Sequence, residues 1–118
     1  MQKVLIIGAH GQLGQDMKVM AASAGYAVSG VDFPDIDITD SITTHKVIAA
    51  HAPEAIVNCS AYTAVDACES HEREAFAVNS NGIAHIARAA RAINARVVHF
   101  STDYVFDGTK NRPYVESD

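Results

Sequence analysis

The sequence predicts an α/β fold built on a doubly wound parallel sheet. Three observations carry this expectation. Short, apolar runs rich in β-branched residues recur four times. Longer segments with helical periodicity separate them. A glycine-rich turn, GAHGQLG, joins the first run to the first helical segment. Parallel strands covered by helices on both faces read as near-continuous apolar runs, which is what these runs are. With 118 residues, 48% hydrophobic and 19% charged, the chain suits one domain around one core.

Taken in order, residues 4–7 form the first strand and Gly8 ends it. Leu13, Met17, Met20 and Ala24 then recur at helical spacing, with Gly25 as the stop. Residues 27–32 read as the second strand. Asp40 or Ser41 caps a helix that runs to His51, and Pro53 marks its end. Residues 55–59 are the third strand. Phe76, Ile83, Ile86, Ala90 and Ile93 make one apolar stripe on a single long helix, with Asp66 or Ser70 placed to cap it. Residues 96–101 are the fourth strand, and Asp107-Gly108 and residues 111–113 carry loop signals. The order β-α-β-α-β-α-β implies right-handed crossovers. The first three strands fit one mononucleotide-binding half; the fourth opens the other half, beside the first strand.

Composition removes several function classes. A net charge of −5 argues against a nucleic-acid footprint, which needs clustered Lys and Arg. Arg88, Arg91 and Arg96 sit at helical spacing and read as a solvated face. No apolar run reaches the roughly 20 residues needed to span a bilayer, and the opening MQKVLIIGAHG is too short and glycine-rich for a signal peptide, so no membrane partner and a cytoplasmic location are expected. Cys59 and Cys68 lack CxxC spacing, and reduced thiols are expected. The six histidines show no ligand spacing, so no protein-ligated metal is expected.

The glycine turn is the first candidate site. A dinucleotide pyrophosphate needs a tight turn, bare backbone and a helix N-terminus with unpaired N–H groups. Gly8 makes the turn, Gly11 admits the phosphate and Gly14 lets the helix pack closely. The spacing is G-x-x-G-x-x-G rather than G-x-G-x-x-G, and its strand–turn–helix context is that of a Rossmann-like domain. Asp32 lies 18 residues after Gly14, where an acid holds the adenosine ribose hydroxyls. An acid there repels a 2′-phosphate and favours NADH over NADPH. Asp37-Ile38 flanks the adenine.

Two more segments follow strand ends. NCSAYTAVD, residues 58–66, has small residues, Ser60 and Ala61, that let a ligand approach, and Thr63 offers a hydrogen bond. STDYVFDG, residues 101–108, brings a hydroxyl, an acid and an aromatic to the crevice. Carbonyl reduction needs a hydride and a proton for the developing alkoxide. Ser101 or Thr102 can orient the carbonyl, whereas Tyr104, followed by Val105 and Phe106, reads as a packed apolar continuation.

Together Gly8-x-x-Gly11-x-x-Gly14, Asn58-Cys59-Ser60-Ala61, Thr102-Asp103-Tyr104-Val105-Phe106 and Pro113-Tyr114-x-Glu116-x-Asp118 resemble the extended short-chain dehydrogenase/reductases. AYTAVDACES and STDYVFDGT resemble the branch that reduces the 4-keto group of dTDP-4-dehydro-L-rhamnose to dTDP-L-rhamnose, over the whole chain. The resemblance implies NADH or NADPH over Gly11, Gln12 and Leu13, touching Asp32, Asp37-Ile38 and Ala61-Tyr62-Thr63. It implies that Thr102 assists a catalytic tyrosine, that Asp103 contacts a dTDP-sugar, and that members often accept both cofactors. DYVFDGT also resembles the regulatory subunit of methionine adenosyltransferase, a non-catalytic binding protein; a nucleotide-sugar epimerase is a third possibility. The family's proton donor lies in a Y-x-x-x-K motif. Tyr26, Tyr62, Tyr104 and Tyr114 are followed four places later by Gly30, Asp66, Gly108 and Asp118. Residues 1–118 are therefore expected to be the N-terminal portion of an NAD(P)-binding domain, nearly inactive alone. An uncovered fourth strand is expected to drive association into a homodimer.

Overall fold

The computed structural model describes residues 2–61, 65–102 and 105–118. Four parallel strands, β1 (Lys3–Ile7), β2 (Ala27–Val31), β3 (Ala55–Asn58) and β4 (Arg96–His99), form one sheet in the order β2-β1-β3-β4. Helices α1 (Gln12–Ser23), α2 (Ser41–His51), α3 (Val65–Ser70), α4 (Glu72–Phe76) and α5 (Gly82–Ala92) supply the cover. The doubly wound α/β expectation holds, but the arrangement corrects one point. The strand beside β1 on the far side from β2 is β3, and β4 pairs with β3. The chain crosses from β2 through α2 to the other side of β1, so the order reverses between β1 and β3. That reversal sets the crevice at the carboxyl ends of those two strands.

Alternation along the strands divides the core. Leu5, Ile7, Val31 and Ile56 meet Ile48 of α2 and Ile86, Ala89 and Ala90 of α5 on one face. Val4, Ile6 and Val57 meet Ala9 and the half-buried Met17 on the α1 face. The α1 face is the thinner of the two. Met20, expected on the buried stripe, is 65% exposed, and Leu13 is also exposed. The helix approaches the sheet through Gly14, its one buried residue. Close approach at a glycine leaves little room beneath the rest of the helix for long side chains.

The long helix expected around residue 76 is present and runs without a break through residues 72–92, but it carries a π-helical turn. α3 and α4 precede a π-helical turn, Ala77–Asn81, that runs into α5. The turn takes up extra residues and rotates the stripe, so Phe76 is 58% exposed while Ile86 is fully buried. Asp66 lies inside α3 and Ser70 ends it, so neither precedes the helix as a cap. The strands also stop one or two residues early: Asp32, Cys59, Phe100 and Ser101 all lie beyond the paired residues. Both faces of β4 are exposed, including Val98 at 50%. Among the described residues no helix is long and apolar enough to cross a membrane.

α2 begins as expected. The Asp40 carboxylate accepts hydrogen bonds from the Ile42 and Thr43 N–H groups at 3.0 and 3.4 Å, and from the Thr43 hydroxyl at 2.9 Å. The helix ends at Ala52, which takes the left-handed conformation (φ 47°) with its N–H donating to the Ile48 carbonyl. Alanine pays a steric penalty there that glycine does not. Ala52→Gly is therefore expected to stabilise the fold by about 0.5–1 kcal/mol, read from the urea midpoint. The Thr43 hydroxyl and the backbone N–H groups hold the Asp40 carboxyl below its ordinary range. A group lowered by folding adds stability above its unfolded value and loses it as pH falls through the folded one. Asp40→Ala should lower stability at neutral pH, and its deficit should shrink as the pH is taken into the acid range.

Candidate functional site

The glycine turn occupies the crevice between β1 and β3. Gly8 takes φ 79°, and its N–H donates to the Val31 carbonyl at 2.9 Å, with Ala9 N–H following at 3.1 Å. Cys59 N–H donates to the Ile7 carbonyl at 2.8 Å, so the ends of all three neighbouring strands are tied at this point. A Cβ on Gly8 would stand 2.6 Å from Ser60 N, and one on Gly14 only 2.1 Å from the Gly8 carbonyl oxygen. Gly11 differs: its φ of −71° suits any residue, and the nearest atom to a Cβ there is 3.5 Å away. Gly8 and Gly14 are thus required by packing, while Gly11 keeps a cradle open.

Gly11 is the N-cap of α1 and supplies no side-chain bond, so the first N–H groups of the helix are left for another acceptor. Asp32 stands beside this turn. Its carboxylate accepts the His10 N–H at 2.9 Å through one oxygen and the Phe33 N–H at 2.8 Å through the other. The acid is oriented by the turn it serves. Its carboxylate oxygens retain lone pairs for further donors.

Two clefts share the turn. One, of about 290 Å³, brings together Gly8, Gly11, Asp32, Asp37, Ile38 and Ala61. Its walls also include Phe33, Ile36 and Val78, which sequence reasoning did not assign to the site. Val78 enters through the π-helical turn, a backbone feature no periodicity announces. The other cleft, of about 620 Å³, brings Gly11, Gln12, Leu13 and Ala61 to Thr102. Gly14 touches neither cleft and acts through packing. Tyr62, Thr63 and Asp103 lie outside the described residues, as does Tyr104.

Local bonds explain how the loop carrying Asp37 and Ile38 is held. Asp37 spends one carboxylate oxygen on the Thr39 N–H and hydroxyl, at 3.0 and 2.6 Å. Ile38 is buried, its carbonyl accepts from His85 Nδ1 at 2.7 Å, and its side chain fills the space where Gly82 lacks a Cβ. His85 was missed in sequence because a histidine on an apolar helix stripe has no spacing signature. Burial pushes the Cys59 thiol up, which disfavours the thiolate. Beyond the cleft, Phe106 and Tyr114 stack at 4.2 Å and 17°, and Lys110 pairs with Asp118, so residues 105–118 fold on themselves.

The matching family model is described as RmlD substrate binding domain and covers residues 1–118. The chain belongs to this family. A dTDP-4-dehydrorhamnose reductase from Streptomyces griseus is 43% identical over 112 residues, covering 95% of this chain and 37% of that protein. A crystal structure of a dTDP-4-dehydrorhamnose reductase from Clostridium acetobutylicum superposes with a TM-score of 0.93 at 39% identity, over 98% of this chain and 41% of the other. A dTDP-4-dehydrorhamnose reductase from Bacillus anthracis, solved in complex with NADP, superposes at 0.87 with 34% identity, over 93% and 39%. This member of the RmlD family therefore spans about two fifths of the relatives it matches.

The glycine geometry separates two substitutions that look alike in sequence. Gly14→Ala drives a Cβ into the Gly8 carbonyl and should lower stability by about 1–3 kcal/mol in thermal or urea unfolding. Gly11→Ala, with no close neighbour, should unfold within about 0.5 kcal/mol of the parent chain.

Proposed function

We propose that residues 1–118 are the N-terminal, NAD(P)-binding portion of a cytoplasmic reductase that converts dTDP-4-dehydro-L-rhamnose to dTDP-L-rhamnose. The observation that carries this reading is the uncapped N-terminus of α1 at the glycine turn, with Asp32 bonded to that same turn. A helix N-terminus without a side-chain cap is an anion site, and bare backbone at Gly11 leaves room for a diphosphate. When bound, a reduced nicotinamide dinucleotide supplies the hydride for the 4-keto carbon. The chain's own residues do the rest of the work proposed here. The N–H groups at the start of α1 hold the diphosphate. Asp32 accepts from the adenosine ribose hydroxyls. Ile36, Ile38 and Phe33 give the adenine an apolar wall. The Thr102 hydroxyl orients the carbonyl in the larger cleft.

Both cofactor forms fit this reading. Asp32 favours an unphosphorylated ribose, while the Bacillus anthracis relative is complexed with NADP. No tyrosine of residues 1–118 stands in a Y-x-x-x-K motif, so the proton donor of the family's chemistry is proposed to lie outside them. General acid catalysis contributes typically about 10²–10⁴-fold, and positioning more.

Isothermal titration of the 118-residue chain with NADH and NADPH tests the proposal. Binding of at least one of them at or below about 1 mM is expected, and Gly11→Val, which fills the cradle, should abolish it. No heat and no competition at millimolar dinucleotide would overturn the assignment. With dTDP-4-dehydro-L-rhamnose and NADPH, the chain alone should show no more than trace turnover; rapid reduction would place the acid among these residues.

A further inference from the structure

Asn58 ends β3 with 2% of its surface exposed, a polar side chain at the buried end of a central strand. Its amide has one possible orientation. The Ser60 N–H donates to Oδ1 at 3.1 Å, and the Ser60 hydroxyl bonds the same oxygen. Rotating the amide would set its NH₂ against the Ser60 N–H, donor against donor. Nδ2 therefore faces the other way, towards His99, its register partner on β4, with Nδ1 3.2 Å away.

The same logic fixes the imidazole. Asn58 Nδ2 is only a donor, so His99 Nδ1 must accept, and the ring proton sits on Nε2. On its other side Ser60 presses on the phosphate turn, its N atom 2.6 Å from the place a Gly8 Cβ would take. Four groups thus run in contact from the tip of β4 to the turn: His99, Asn58, Ser60 and Gly8. The strand tip they start from leads into Ser101 and Thr102, which line the larger cleft opposite Gly11.

We propose that His99 is a positioning residue: its Nε2–H tautomer locks Asn58, and through Asn58 and Ser60 it holds the Ser101–Thr102 segment at a set distance from the phosphate turn. His99 is exposed on an edge strand, so replacing it empties no core. The effect is one of alignment. The ligand arm of its test rests on the dinucleotide reading above; the spectroscopic arm does not.

In the free 118-residue chain, long-range ¹H–¹⁵N spectra should show His99 with a bare Nδ1 and a protonated Nε2. Asn58→Asp keeps an acceptor for Ser60 but replaces the Nδ2 donor by an acceptor, so His99 should then carry a proton on Nδ1. An Nδ1–H tautomer in the parent chain, or no change in Asn58→Asp, would overturn the proposal. In NADPH titrations His99→Leu should weaken binding about five- to tenfold, the worth of one neutral hydrogen bond, while His99→Gln, which restores an acceptor, should stay within about twofold of the parent. Equal affinity for His99→Leu and the parent chain would count against it. Should the parent bind neither NADPH nor NADH, the dinucleotide reading fails and the tautomer measurements still decide the role of His99.

Discussion

Three backbones meet at Gly8. The end of β1 turns there, the start of α1 comes down on its carbonyl through Gly14, and the end of β3 passes beside it at Cys59 and Ser60. No side chain can be inserted at either glycine without moving a main chain. Protein interiors are packed tightly enough that such a contact is felt by everything around it. The position of α1, the mouth of the crevice and the spacing of β1 from the β3 loop all follow from this one close approach. The long side chains of α1 are correspondingly exposed, since a helix held close at one glycine cannot also accommodate Leu13 and Met20 beneath it.

From that contact the electrostatics of the site follow. An α1 terminus that begins at a glycine has no side chain with which to cap itself, so its N–H groups face the crevice. Asp32, one residue beyond β2, takes the His10 N–H from the same turn. The placing of this acid and the geometry of the turn are therefore tied together through one carboxylate. The loop after β2 is similarly prearranged. The Asp37 turn, the buried Ile38 and the His85 bond hold a loop that carries no regular structure. The fold supplies the location, since crevices of this kind form wherever strand order reverses in a parallel sheet. The identity of the side chains supplies the chemistry.

Several features were legible in the residues themselves, each for a local reason. The strand cores, the Asp40 cap and the glycine turn each carry a signature within a few consecutive residues, and such patterns can be read locally. The π-helical turn inside the long helix was not legible. Phe76, Ile83, Ile86 and Ala90 make a plausible stripe at a constant 3.6 residues per turn, and the π-helical turn at Ala77–Asn81, which closes on Gly82, shifts that count in a way no periodicity announces. Helix caps at Asp66 and Ser70 failed for the same reason: a cap needs a boundary, and the boundaries lay elsewhere.

By itself the sequence determined that the chain would form a parallel α/β sheet, that a bare turn would meet a helix N-terminus after β1, and that an acid would follow β2. Periodicity, glycine placement and strand-end position are properties of the chain taken in order. Only the tertiary structure decided that β3 rather than β4 lies beside β1, that Val78 and Phe33 line the cleft, and that His99, Asn58 and Ser60 bond in a row. Those depend on pairs of residues as far apart as 51 positions, such as Ile7 and Asn58 across β1 and β3. Nothing in either segment alone says that it will meet the other, because the crossovers between strands set the meeting.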